Sequence, residues 1–148
     1  MSSAGRFVGI REIVISDQLA PNNLLSEIVP PGHGWKLMLL TATLLSSSAS
    51  GNRRLAIRIR NANDYVVHFF DGGLDQAASD MHTYFFAPGN PNETAVIDGG
   101  DIKHIRRALC SDLWLPESYQ VGVLDKANID DADDEISLCR MIVEDYTE

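Results

Sequence analysis

Cysteine is scarce in this sequence, with only Cys110 and Cys139 among 148 residues. Small extracellular scaffolds stapled by disulfides commonly carry four or more behind a signal peptide, so the composition predicts two reduced, buried thiols. Long apolar runs are missing too. The most hydrophobic stretch, LMLLTATLL from Leu37 to Leu45, reaches about half of the roughly 20 residues that a membrane-spanning helix needs. The opening MSSAGRFVGIREIVIS puts Arg6 and Arg11 where a secretory signal needs an unbroken apolar core, which predicts a soluble protein made in a cytoplasm. Positive charge is also in short supply. Twelve Lys and Arg face 21 Asp and Glu, a formal net charge of −9. Binding to a phosphate backbone is driven by counterion release to clustered Lys and Arg, so no nucleic-acid partner is expected.

Motifs that carry catalysis or metal binding are absent. The serines of LLSSSAS lack the G-x-S-x-G elbow of a hydrolase nucleophile. His33, His68, His82 and His104 show neither HxH nor HExxH spacing, and no cysteine pair lies near enough to complete a zinc site. The run NIDDADDE has the composition of a calcium loop without EF-hand spacing, which favours a solvated acidic turn. DGGLDQ and DGGD offer carboxylates and glycines, but no helix follows to complete a phosphate cradle. These absences predict a protein that is not an enzyme and has no cofactor and no metal.

What the chain does have is period-two patterning. In SSSASGNRRLAIRIR, from Ser46 to Arg60, Leu55, Ile57 and Ile59 alternate with Arg54, Ala56, Arg58 and Arg60. Alternation of this kind marks a half-buried strand. GWKLMLLTATLL before it and DYVVHFF after it are expected to join it in a three-stranded meander. RFVGIREIVI, LLSEIV, MHTYFFA, YQVGVLDK and EISLCRMIVED also read as strands. KHIRRAL reads as a strand with a helix as the alternative, and LDQAASDM has room for a turn or two of helix. Turn compositions such as PPGHG, APGNPNE and DGGD separate the segments. Eight or so short strands with little helix predict an all-β fold, an antiparallel β-sandwich of jelly-roll type. The expectation is one domain over 1–148, with 1–23 as an N-terminal strand or arm.

Arg54, Arg58 and Arg60 form the candidate site, on the strand face opposite Leu55, Ile57 and Ile59. Three readings are open: a solvated strand face, a protein interface, and a nucleic-acid grip ranked last because the whole chain is acidic. The stretch from Asp125 to Glu148 holds nine carboxylates against Lys126 and Arg140, a possible matching acidic surface. Trp35, Trp114, Tyr65, Tyr84 and Tyr119 could form a sugar-stacking platform, but their apolar neighbours favour packing. In WKLMLLTATLL, Trp35, Leu37, Leu39, Thr41 and Thr43 would share one face and Lys36, Met38, Leu40, Ala42 and Leu44 the other. Both would be apolar, which predicts a second subunit or the N-terminal arm as a cover.

The order PPGHGWKLMLL, SASGNRRLAIRI, DQAAS, TYFFAPG, LWLPESYQVGV, an acidic turn and a closing MIVEDY resembles small structural proteins of tailed bacteriophages. The resemblance covers roughly residues 24 to 146. It implies a β-sandwich virion protein, made in the host cytoplasm, that decorates or cements a capsid lattice. Its partners would be the major capsid protein or other virion proteins and further copies of itself, as a closed trimer. No nucleic acid and no membrane would be bound. The alternatives are a tail or baseplate component, or a carbohydrate-binding sandwich module.

Overall fold

The computed structural model describes residues 5–15, 17–19, 24–98, 103–125 and 134–147. All regular structure among them is β-strand. One sheet, A, runs β1 (Arg6–Val14), β12 (Glu135–Thr147), β4 (His33–Leu45), β7 (Met81–Pro88), β9 (Lys103–Leu109), β8 (Ile97–Asp98), with β10 (Trp114–Leu115) also paired to β4. The other, B, runs β2 (Asp17–Leu19), β3 (Leu24–Ile28), β11 (Gln120–Asp125), β5 (Leu55–Arg60), β6 (Val66–Asp71). Most connections pass from one sheet to the other. The pairing is antiparallel except between β7 and β9, which run parallel. The protein is an all-β sandwich, as the alternating segments predict. KHIRRAL is the strand β9, and LDQAASDM forms turns rather than helix.

The core lies between the sheets. Sheet A contributes Trp35, Leu37, Leu40, Ala42, Leu44, Tyr84 and Phe86, and sheet B Leu55, Ile57, Ile59, Val121 and Val123, all at most 1% exposed. Each fully buried aliphatic or aromatic side chain contributes about 1.5–3 kcal/mol relative to exposure. The strict alternation of β5 therefore did locate its inner face.

The expected meander is corrected: β5 and β6 form a hairpin, but β4 lies in the opposite sheet. The inward faces of β4 and β5 look at each other across the core. The connection between them is held in this crossing path by hydrogen bonds, Arg53 exchanging two with Gln76 at 2.8 Å and Ser46 N donating to Asp80 O at 2.9 Å.

The two apolar faces of β4 need correction as well. In the β4–β12 ladder Leu39 pairs with Ile142 and Leu37 with Val143, so Met38 is an extra residue, a bulge that switches the alternation. Trp35 and Leu37 thus share the inner face with Leu40, Ala42 and Leu44. Lys36, Leu39, Thr41 and Thr43 are left on the outer face. Among the described residues the N-terminal segment does not cover that face either: β1 extends sheet A at its edge beside β12. Cys139 is buried and Cys110 is exposed, both as free thiols. Cys110 stands just past the end of β9, where the chain turns, and so escapes the core that was expected to hold it.

Candidate functional site

The arginine cluster divides into three environments. Arg53 turns inward and is completely buried. Its Nε donates to Asp134 Oδ2 at 2.9 Å, Nη1 to the carbonyls of Ala49 at 2.8 Å and Gly51 at 2.6 Å, and Nη2 to Ser47 Oγ at 2.8 Å. A buried guanidinium needs such a full set of acceptors to offset its lost hydration. Arg54 is clamped within the chain, its Nε 2.8 Å from Asp71 and its Nη1 2.9 Å from Asp75. It therefore leaves the candidate site, because its charge is already met.

Arg58 and Arg60 remain. They project from the outer face of sheet B, and the Nε atoms of both are buried without a hydrogen-bond acceptor. Burial lowers the Arg58 pKa, the like charge of Arg60 lowers it further, and Asp64 opposes both. The neighbouring side chains cover the stem and Nε of each arginine, as a long basic side chain lying along a sheet allows. In the sheet, Arg58 lies between Phe69 and Gly122, and Arg60 between Val66 and Gln120, with Ile28 beyond Gln120. Ile28 is 55%, Val66 50% and Phe69 45% exposed. Two cations thus sit within a partly apolar surface, the composition found at protein interfaces.

The acidic surface expected from Asp125 to Glu148 is corrected in part: of its described carboxylates, Glu135 is exposed and Glu144 half-buried, but three are not on the surface. Asp125, Asp134 and Asp145 are buried, since each faces a donor inside the molecule. Asp125 accepts from the Arg54 N–H at 3.2 Å and Asp134 is held by Arg53. Asp145 accepts from His33 Nδ1 at 2.8 Å and Arg11 Nη1 at 3.1 Å. Burial alone would raise the Asp145 pKa, but the His33 and Arg11 hydrogen bonds hold it below the ordinary value. Of the calcium-like run 128–135, residues 128–133 lie outside the described residues, and Asp134 is taken up by Arg53.

Of the aromatic candidates, Trp35 and Tyr84 are core residues. The Tyr84 hydroxyl donates to Gln76 Oε1 at 3.0 Å, while Gln76 Nε2 donates to the carbonyls of Leu44 at 2.7 Å and Asp80 at 3.0 Å. Trp114 packs edge-on against Tyr146 at 5.2 Å and lies so close over Gly34 that any side chain there would collide with its ring. Tyr65, 70% exposed, is the ring left open on the surface. His68 and His82 are in different sheets; His82 is bonded to Asp80 at 3.0 Å, and burial lowers its pKa.

Sequence reasoning missed the Arg53–Asp134 pair and the Gln76 hub. No local signal could have found them, because the partners come from distant segments. Alternation alone was enough to place Arg58 and Arg60 on the outer face of β5. Compared with known proteins, the chain matches no family model and no curated sequence.

Proposed function

We propose that the protein is a non-catalytic structural component of a tailed-phage particle, a decoration or cement domain that docks on the capsid lattice through the outer face of sheet B. Arg58 and Arg60 are the contact cations. The observation that carries the reading is the pair of arginines on the outer face of β5 flanked by the exposed apolar side chains of Ile28, Val66 and Phe69. A partner carboxylate meets the outer ends of the two guanidinium groups, which arginine presents in bidentate geometry. The resemblance of residues 24 to 146 to small phage structural proteins supports the same reading.

The test is the Arg58→Glu, Arg60→Glu double variant, titrated onto bare capsids at two salt concentrations. Capsid binding weakens, and its salt dependence falls, while circular dichroism stays native. Unchanged binding at both salt concentrations removes the arginines from the contact. Copy number in purified particles, measured by mass spectrometry, separates a cement protein at lattice stoichiometry from a tail or baseplate component at low copy.

A further inference from the structure

His82 stands near the start of β7 and is 4% exposed. Its Nε2 lies 3.0 Å from Asp80 Oδ2. A carboxylate only accepts, so Nε2 carries the ring proton and Nδ1 is a bare lone pair. Nδ1 is closed to solvent and has no partner among the described residues. The residue is opposite Leu44 of β4, and the Tyr84 ring centre is 6.2 Å from its own. Three charged groups face this corner. Asp80 comes from the β6–β7 connection, Lys103 from β9, and Asp75 from across a hollow that all of them line, where Arg54 holds it at 2.9 Å. Asp80 is shared, because its Oδ1 accepts from Lys103 Nζ at 3.0 Å. One carboxylate thus lies between an ammonium and an imidazole, and it balances one positive charge.

We propose that His82 is an acid-released latch: neutral, it holds the β6–β7 connection, residues 72–80, against the start of β7, and proton uptake at Nδ1 lets that connection open while the two sheets stay packed. A proton at Nδ1 is a donor sealed from water with nothing to accept it. It also places a second positive charge beside Lys103 on a single carboxylate. Opening relieves both by bringing water to the ring. Burial lowers the His82 pKa, Asp80 opposes this and Lys103 adds to it. A histidine depressed in this way stabilises the closed form fully above its unfolded value of about 6.5, and the contribution is lost as pH falls from there through the folded pKa.

Asp80 is the point at which the connection is fastened. Its carbonyl accepts from Ser46 N at 2.9 Å, Ser46 Oγ at 3.1 Å and Gln76 Nε2 at 3.0 Å, and its Oδ1 accepts from the Met81 N–H at 2.9 Å. A displacement of Asp80 therefore loosens the whole set. The connection forms no strand of its own, and Leu74 is its one large apolar side chain. Few apolar contacts oppose its opening, which is the condition for a local rather than a global transition.

The experiment follows the full chain by NMR from about pH 7.5 to about pH 4.5, across the range in which histidine changes charge. The His82 ring is expected to titrate below about pH 6.5. The amides of Ser46, Gln76 and Ser79, bonded to the carbonyls of Asp80, Arg53 and Ser47, should lose protection from hydrogen exchange in the same range. Uptake of one proton limits that loss to about tenfold per pH unit. The amides of Val29 and Leu37, bonded to Tyr119 and Leu113 on the far side of the molecule's loops, keep their protection. His82→Gln, which retains a donor for Asp80 but does not titrate, abolishes the loss. Lys103→Gln moves the ring titration to higher pH, because Asp80 is then free to balance the imidazolium. A ring that titrates at or above about 6.5, protection at Ser46 and Gln76 that does not change with pH, an equal loss in His82→Gln, or a parallel loss at Val29 and Leu37 overturns the proposal. Should His82→Gln fail to fold, the direction of the shift in Lys103→Gln, altered at a side chain that is 43% exposed, decides the matter.

Discussion

Arg53 and Asp134, 81 residues apart, form an ion pair in which both side chains are completely inaccessible to solvent. The pair joins the β4–β5 connection to the residue that leads into β12. Removing one partner leaves the other charge buried and uncompensated, which costs about 3–5 kcal/mol. Asp134→Ala should lower the urea midpoint accordingly. Replacing both residues by apolar ones, Arg53→Met with Asp134→Leu, should recover much of that loss, and a double-mutant cycle measures the coupling.

Ile57 and Arg58 are neighbours on β5 with opposite orientations. Ile57→Ala should destabilise the protein by about 2–5 kcal/mol, the usual cost of truncating a core isoleucine. Ile57→Asp should prevent folding, because an unpaired carboxylate would lie between the sheets. Arg58→Asp should leave the melting temperature close to that of the unaltered protein. Equal losses in all three would mean that the two faces of β5 are wrongly assigned.

The thiols should differ in reactivity. Cys139 is buried, and burial pushes its pKa up to about 12, so almost no thiolate forms near neutral pH. Alkylation of the native protein should add one group, at Cys110, and alkylation after denaturation should add two. Intact mass reads both numbers. A native protein that takes up no reagent would show instead that the two sulfurs are joined.

Asp145 should contribute to the acid limit of stability. Its folded pKa is depressed by His33 and Arg11, whereas an unfolded Asp titrates near about 3.9. A depressed carboxylate stabilises the fold fully above the unfolded value, and this contribution is lost as pH falls from there through the folded pKa. Asp145→Asn should therefore be less stable than the unaltered protein at neutral pH and lose less further stability on acidification. Urea midpoints measured from neutral pH to below pH 3 test the sign, and parallel curves would exclude Asp145 as a source of the acid sensitivity.

How much could be read from the sequence depended on the range of the forces involved. The inner face of β5 was legible because alternation is local: Leu55, Ile57 and Ile59 announce a buried face without reference to any other segment. The faces of β4 were not, since the bulge at Met38 is defined only against β12. Nine carboxylates in one stretch looked like a surface, yet the exposure of Asp125, Asp134 and Asp145 is decided by Arg54, Arg53, and the pair of His33 and Arg11. The same holds for the candidate site. Alternation supplied Arg58 and Arg60, and it also supplied Arg54, because the carboxylates of Asp71 and Asp75 approach only after β6 has folded back.

The bulge at Met38 has a counterpart. Strand β12 carries its own extra residue near Leu138, whose φ of 48° is left-handed, so the ladder is displaced by one residue only from Thr41↔Arg140 to Leu39↔Ile142. On either side, Thr43↔Ser137 and Leu37↔Val143 keep a common register. The two insertions thus behave like a frameshift and its suppressor, each correcting the phase error of the other. Loss of Met38 alone would leave one half of the ladder out of phase with its core face. Loss of Leu138 as well would restore the phase, so the two positions form one hereditary unit: a lineage can change the length of either strand only by changing both.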